Sequence, residues 1–388
     1  MTRRAVLALV LASTLTGCAA AGGPAPSATS SDAPIDSPAR LANPADTFTV
    51  ENVAAFDEPW AMAFLPDARA LVTQRAGALL LVDPAAGSST RVAGTPDVVV
   101  DGQGGLGDVI LGPNFATDRT VYLSWVEAGE GGTGAVVGRA TLRADNSPAL
   151  EGLTVIWRQE PKVTGSGHFS HRMVFSPDGR YLFVSSGDRQ KFDPAQDLGN
   201  NLGTIVRLTA DGAPAAGNPV AGRGAVSAQI WSYGHRNVLG LAFDAHGNLW
   251  NSEMGPQGGD EINLIAAGKN YGWPRASNGS HYGGADIPDH ANGDGFEAPK
   301  VWWNPSISPG SLMIYSGDRF AGWKGDAFVG ALSGRALIRV HLDGTNAAKA
   351  DQWDMGARIR EVEQGPDGAL WLLTDGGDGR LLKLTPKT

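Results

Sequence analysis

Two histidines, His168 and His171, stand three residues apart in GSGHFSHRMVFSPDGRYLFVSSGD, Gly165 to Asp188, next to Arg172. The loop ahead of them is built of Gly and Ser, so no bulky sequence neighbour shields the rings. A neutral imidazole titrates near pH 6.5 and suits general-base work at neutral pH. Either ring could instead sit in a satisfied hydrogen bond, and for His171 that structural reading is preferred. Arg358 and Arg360 lie two apart in the alternating segment ARIREVEQ. On a strand this spacing puts both side chains on one face, about 7 Å apart. Guanidinium groups stay charged and fork onto carboxylates. The pair therefore reads as a clamp for an anion, or else as a solvated charged strand edge.

Residues so far apart in sequence need a scaffold that gathers them, and one pattern recurs from Phe48 onward. A short apolar alternation runs into a turn and a second alternation follows. The copies begin at Ala61 (AMAFLPDARALVTQ), Asp108 (DVILGPNFATDRTVYLSW), Arg172 (RMVFSPDGRYLFVSSGD), Leu241 (LAFDAHGNLWNSE) and Val362 (VEQGPDGALWLLTD), with a looser one at Leu312 (LMIYSGDRFAGWKGDAFVGAL). Period-two alternation predicts strands with a buried face. Pro-Asp-Gly fixes φ, bonds the backbone and accepts positive φ in turn, so each copy predicts a hairpin. Six copies, about 45 to 75 residues apart, leave room for a four-stranded sheet each. A lone blade has two apolar faces that neighbouring blades must cover. The predicted fold is all-β, a six-bladed β-propeller of four-stranded antiparallel sheets, in preference to a pair of β-sandwiches. The segment TFTVENVAAF, Thr47 to Phe56, is expected to pair into the last blade and close the ring. Functional residues should then lie in loops that converge on the central channel.

The remaining sequence bounds the setting. With 53 Gly and 24 Pro in 388 residues a helical bundle is excluded, and 42% hydrophobic residues suffice for a large core. Arg3 and Arg4 precede the apolar run AVLALVLASTL and then TGC, ending at Cys18. That is the layout of an export signal. LTGC resembles the bacterial lipoprotein signal, which implies that residues 1–17 are removed and that Cys18 carries the lipid. Cys18 is the single cysteine, so the folded domain has no disulfide and no thiol chemistry. Residues 18–46, rich in Ala, Pro, Ser and Gly, read as a flexible tether, and 47–388 as the propeller. The formal charge is −9, and the removed segment holds two Arg and no acid. An acidic, exported chain is a poor nucleic-acid binder. The expected location is extracytoplasmic, anchored to a bacterial membrane through lipid.

Several further motifs accumulate around His168: DGQGGLGDVILGP from Asp101, SYGHRNVLGLAFD from Ser232, and NSEMGPQGGDEINLIAAGKNYGWP from Asn251. With the His168 and Arg358 segments they resemble the soluble quinoprotein sugar dehydrogenases. That family includes glucose and aldose sugar dehydrogenases that use pyrroloquinoline quinone (PQQ). The resemblance spans most of residues 48–385, and its most specific parts are Y-G-H-R-N, G-P-x-x-x-D-E-I-N-L-I and N-Y-G-W-P. The family fold is a six-bladed propeller, in agreement with the count of repeats.

The resemblance implies roles. Arg358 and Arg360 map onto the PQQ-carboxylate clamp. Arg236 falls beside the reactive carbonyl, where a fixed positive charge stabilises a developing oxyanion, and Asn237 hydrogen-bonds the cofactor. Gln103 lies near substrate and cofactor, and His168 matches the base. Calcium is implied at the carbonyls of Gly255 and Pro256, supported by Asp260 and Glu261, since it takes hard oxygen ligands. Glu261 and Tyr271 resemble contributors to a second, structural calcium. Trp303 in VWWNPSISP is the candidate aromatic for stacking on sugar, with blade core as its other reading. Two positions depart from the pattern. Ser333 stands where the family has a Lys for a PQQ carboxylate, with Arg335 two residues on as a replacement, and His171 takes a position that is small in the family. The implied activity is oxidation of an aldose at C1 to the lactone, with electrons passed to an acceptor that the sequence does not identify, since it holds no haem motif and no iron–sulfur cysteine set. The alternative is a non-catalytic lipoprotein propeller that binds a sugar, polymer or protein through the same channel.

Overall fold

Alternating strands with both faces apolar can be buried only if sheets stack face to face in a closed ring. The computed structural model describes residues 38–387, and the sheets stack in that way. The signal segment and Cys18 lie outside the described residues. Six antiparallel blades recur. Blade 1 runs from its innermost strand Pro59–Phe64 out to Ser88–Val92, blade 2 from Leu106–Leu111 to Ala149–Arg158, and blade 3 from Ser170–Phe175 to Ile230–Tyr233. Blade 4 runs from Val238–Phe243 to Val301–Trp303, blade 5 from Met313–Ile314 to Asn346–Asp354, and blade 6 starts at Ile359–Gln364. The innermost strands touch their neighbours around the whole ring, blade 6 against blade 1 included.

The six predicted hairpins are the two inner strands of the six blades. Their turns work as their chemistry dictates. Asp67, Asp178 and Asp367 each accept the N–H two residues on, from Arg69, Arg180 and Ala369. Gly179 and Gly368 take φ of 69° and 76°, the left-handed conformation that glycine reaches without a Cβ clash.

Alternation decides which interface each side chain fills. Val121 and Leu123 pack with blade 1 while Tyr122 between them packs with blade 3. Phe328 faces blade 6 and Val329 faces blade 4. Leu372 faces blade 5 and Leu373 faces blade 1. One apolar cluster therefore fills each of the six gaps between blades, and burial of these faces is the main force that closes the ring.

Closure is also covalently staggered. Phe48–Phe56 pairs antiparallel with Gly379–Pro386 and supplies the outermost strand of blade 6, as expected from the sequence. Ahead of it, Arg40–Ala42 pairs parallel with Asp351–Trp353 and adds a fifth strand to blade 5. Arg40 is held by Asp351 at 2.6 Å. The segment read as a flexible tether thus ends in ordered structure. Among the described residues no helix is long and apolar enough to cross a membrane.

Candidate active site

The loops that lead into the innermost strands meet at one end of the channel. Gln103, Asn237, Arg358 and Arg360 line a single cavity of about 300 Å3, together with Glu58, Arg75 and Asp375. Arg358 and Arg360 do share a face, because Asp375 bridges them. Arg358 Nε donates to Asp375 Oδ2 at 2.8 Å, and Arg360 Nε and Nη2 donate to Oδ1 at 3.0 and 2.8 Å. Despite its burial, the two guanidinium groups hold the Asp375 carboxyl below its ordinary range.

His168 is not among the residues that line this cavity; Phe169 and Ser170, which follow it, are, and Gln103 Oε1 accepts the His168 backbone N–H at 2.7 Å. The His168 Nδ1 lies 2.7 Å from Asp188 Oδ1. A carboxylate only accepts, so Nδ1 donates and Nε2 keeps its lone pair. Asp188 is itself fixed by Trp273 Nε1 at 2.7 Å and by the Gln190 N–H at 2.8 Å. Burial lowers the His168 pKa from 6.5, Asp188 opposes the shift, and Arg236 and Arg189 add to it. The ring is therefore neutral at neutral pH, oriented by a carboxylate and ready to accept a proton.

Arg236 does not line that cavity either; it lines a smaller pocket with Gly255, Pro256 and Trp273, and its carbonyl accepts the Asp188 N–H at 2.9 Å, which sets it beside the His168–Asp188 pair. Its Nη1 donates to the Met254 and Gly255 carbonyls at 3.0 and 2.6 Å, and its Nη2 to Tyr282 Oη at 3.2 Å. Its backbone N–H donates to Glu253. Its Nε is buried with no hydrogen-bond partner. Asn237 Oδ1 accepts from Ser170 Oγ at 3.1 Å.

The Gly-Pro loop is fastened by Asp260, which accepts the Gly255 N–H at 2.8 Å and the Ile307 and Ser308 N–H groups at 2.7 Å. Glu261 is buried beside Glu253, and burial and that like charge push its carboxyl well up. Tyr271 Oη is committed to the backbone, donating to Leu264 O at 2.7 Å and accepting from Ala266 N at 2.8 Å. Only its main chain is left as a ligand. No group of three His, Cys, Asp or Glu that could hold a metal occurs among the described residues.

Two sequence readings change, those of Trp303 and Arg335. Trp303 sits on the outermost strand of blade 4, inside the blade 4–blade 5 core and away from the cavity. On an outermost strand it packs against the next blade rather than facing the axis, so it is core and not a sugar platform. Arg335 turns outward to the Gly356 carbonyl and does not line the cavity. Ser333 Oγ is occupied by Ser308 Oγ at 2.8 Å, and Leu332 beside it forms the cavity wall. His171 lines the cavity beside Trp60 and is locked in place. It is 2% exposed, stacks on Trp60 at 5.1 Å, bonds Ser124 Oγ at 2.7 Å and, through burial, has its pKa lowered to about 3. It fills the space that a Cβ on Gly107 would need.

The sequence reading missed Asp188, Asp375, Tyr282 and Trp273. Asp188 ends the very segment that carries His168, and Asp375 follows the strand that pairs with the Arg358–Arg360 strand. Register between hairpin partners was the signal available.

A propeller with an oriented histidine and converging arginines at one channel mouth is the architecture of an oxidoreductase that holds a small polyanionic cofactor. The chain belongs to the glucose/sorbosone dehydrogenase family, whose sequence pattern it matches over residues 56–383. It is 42% identical over 339 residues to the aldose sugar dehydrogenase YliI of Escherichia coli, covering 85% of this chain and 91% of that one. The crystal structure of the apo-form of the soluble E. coli aldose sugar dehydrogenase superposes with a TM-score of 0.83 at 40% identity, covering 88% of this chain and all of that one. The PQQ-bound aldose sugar dehydrogenase of Streptomyces coelicolor gives 0.74 at 31% identity, with 89% of this chain and 100% of that one covered.

Proposed function

We propose that this protein is a PQQ-dependent aldose dehydrogenase that oxidises a sugar at C1 to the lactone. The observation that carries the reading is the convergence of Arg358, Arg360, Asn237 and Gln103 on one cavity, with His168 bonded through its backbone to Gln103 and through its ring to Asp188. The cavity suits a planar tricarboxylate. Its two clamp arginines share one carboxylate, and Arg236 keeps a buried nitrogen without a partner. Such groups gain by meeting an anion.

When bound, PQQ supplies the ortho-quinone that accepts hydride. Arg358 and Arg360 would hold its carboxylates, Asn237 and Gln103 would orient it, and Arg236 would supply positive charge for a developing oxyanion. His168 Nε2 takes the proton of the C1 hydroxyl, so that hydride departure leaves the neutral lactone rather than a charged product. Asp188 steadies the imidazolium that results. The carbonyls of Gly255 and Pro256 are of the hard-oxygen type that calcium takes, and Asp260 braces their loop; calcium would have to share or replace the Arg236 Nη1 contact that the Gly255 carbonyl makes at 2.6 Å. A second calcium would lie at Glu261 and the Tyr271 main chain, where a cation relieves the repulsion between Glu261 and Glu253. Attachment through a lipid on Cys18, outside the cytoplasm, rests on the leader sequence, and Cys18→Ser should release the protein from the membrane fraction.

The test is to add PQQ and Ca²⁺ to the purified protein, follow bound-cofactor absorbance, and assay dye reduction with a panel of aldoses. Saturable binding and aldose-dependent reduction are expected. No binding at saturating cofactor would favour a pure binding protein.

A further inference from the structure

Residues of the site lie one or two positions ahead of the innermost strands of blades 3, 4 and 6. His168 stands two residues ahead of the innermost strand of blade 3. Asn237 immediately precedes that of blade 4 and Arg358 that of blade 6. Glu58 holds the same place in blade 1, directly ahead of Pro59–Phe64, and it lines the same cavity.

Glu58 is built into position. Its φ is 45°, a left-handed conformation that a residue with a side chain keeps only when its surroundings fix it. They do so here, since the Glu58 N–H donates to Gly376 O at 3.0 Å and its carbonyl accepts from Arg75 N at 2.9 Å. Arg75 Nη2 lies 2.9 Å from both carboxylate oxygens, while its Nη1 donates to Gly102 O at 3.0 Å, next to Gln103. The pair thus ties the blade 6 loop behind Arg358 to the loop that presents Gln103.

Glu58 differs from Asp375. Asp375 is covered by three N–H groups from two arginines. Glu58 is met by one nitrogen, its side chain is 39% exposed, and both oxygens keep acceptor capacity to spare. A carboxylate with spare acceptor capacity repels an anion and accepts hydroxyl hydrogens. Its partner is therefore the neutral polyol rather than the cofactor. In a ring of six, blade 1 stands opposite blade 4, which carries Arg236 and Asn237, and is separated from blade 3 by blade 2. Glu58 thus approaches the cavity from the side away from the His168–Arg236 end.

We propose that Glu58, held by Arg75, is a specificity-determining residue. It accepts hydrogen bonds from hydroxyls at the end of the aldose remote from C1 and excludes sugars that carry a carboxylate there. The assignment rests on the dehydrogenase reading above.

The test compares kcat/KM for glucose with glucuronate, and for galactose with galacturonate, in PQQ-loaded wild type and Glu58→Gln. The amide keeps the shape, removes the negative charge and leaves Arg75 uncompensated. The uronate-to-aldose ratio should rise about tenfold or more; because both sugars are assayed on the same cofactor-loaded enzyme, the ratio is independent of any change in PQQ affinity. A second variant, Glu58→Ala, should lower kcat/KM about tenfold for the aldose and far less for its 6-deoxy analogue. Loosening of the loop would depress all sugars alike and move neither ratio. Unchanged ratios in a wild type that oxidises aldoses overturn the assignment of Glu58 alone. A wild type that binds PQQ yet oxidises no aldose overturns the dehydrogenase reading and this assignment with it.

Discussion

At the mouth of the channel, where the innermost strands begin, arginines outnumber the carboxylates that face them. Arg75, Arg358 and Arg360 line the cavity with Glu58 and Asp375, and Arg236 stands behind. Further along the same strands the balance reverses. Asp108, Glu361 and Glu363 surround the single Arg172 in a second cavity of about 270 Å3. Arg172 is fully engaged there. It donates to Leu239 O and Gly310 O at 2.8 Å, pairs with Asp108 at 3.3 Å and Glu361 at 2.5 Å, and lies over Trp60 at 4.1 Å. The difference teaches how to tell a receptor from a rivet. A buried charge cluster whose donors all have partners locks blades together, and one with donors to spare awaits a ligand.

That comparison is open to attack at both ends. The largest expected effect is on the rivet. Arg172→Met strands Asp108 and Glu361 in the core and should cost about 3–5 kcal/mol of unfolding free energy, read by denaturant titration. A small loss would mean that the lower cluster is not structural. At the receptor end, Arg360→Ala removes a charged clamp donor. PQQ binding should weaken roughly tenfold to a hundredfold, corresponding to about 1.5–3 kcal/mol for a hydrogen bond to a charged group. The melting temperature without cofactor should move much less than for Arg172→Met.

The smallest effect is on pH dependence. Burial raises the Glu363 pKa from 4.5 to about 7. Its folded pKa lies above its unfolded one, so its contribution is present below pH 4.5 and is lost as pH rises through 7. Glu363→Gln should therefore melt progressively higher relative to wild type as pH goes from 5 to 8. His171 acts in the opposite window. Its folded pKa of about 3 makes stability fall as pH drops from 6.5 toward 3.

Much of this was legible in the sequence because it depends on local rules. Asp178 and Gly179 specify a turn wherever they occur, and period two puts Arg358 and Arg360 on one face of any strand. The closing strand Phe48–Phe56 is expected because the ring needs an outer strand to pair into the last blade. What was not legible depends on which loops the ring brings together. Asp188 lies twenty residues beyond His168 and meets it only because Ser170 pairs with Ser186 across blade 3. Trp303 was misread because an aromatic doublet looks alike on an inner and an outer strand, and only the order of strands within blade 4 distinguishes them. Arg40–Ala42 escaped notice because a short polar edge strand carries no periodic signal; its pairing with blade 5 is helped by the Arg40–Asp351 ion pair.

The central claim is that a neutral imidazole, aimed by Asp188, takes the substrate proton beside a cofactor held by other residues. Its most direct test is His168→Ala, with turnover and PQQ affinity measured on the same preparation. The account predicts that kcat falls about 10²–10⁴-fold, the range for loss of a general base, while the Kd for PQQ stays within about twofold. Equal losses in both, or turnover that survives the substitution, would contradict it.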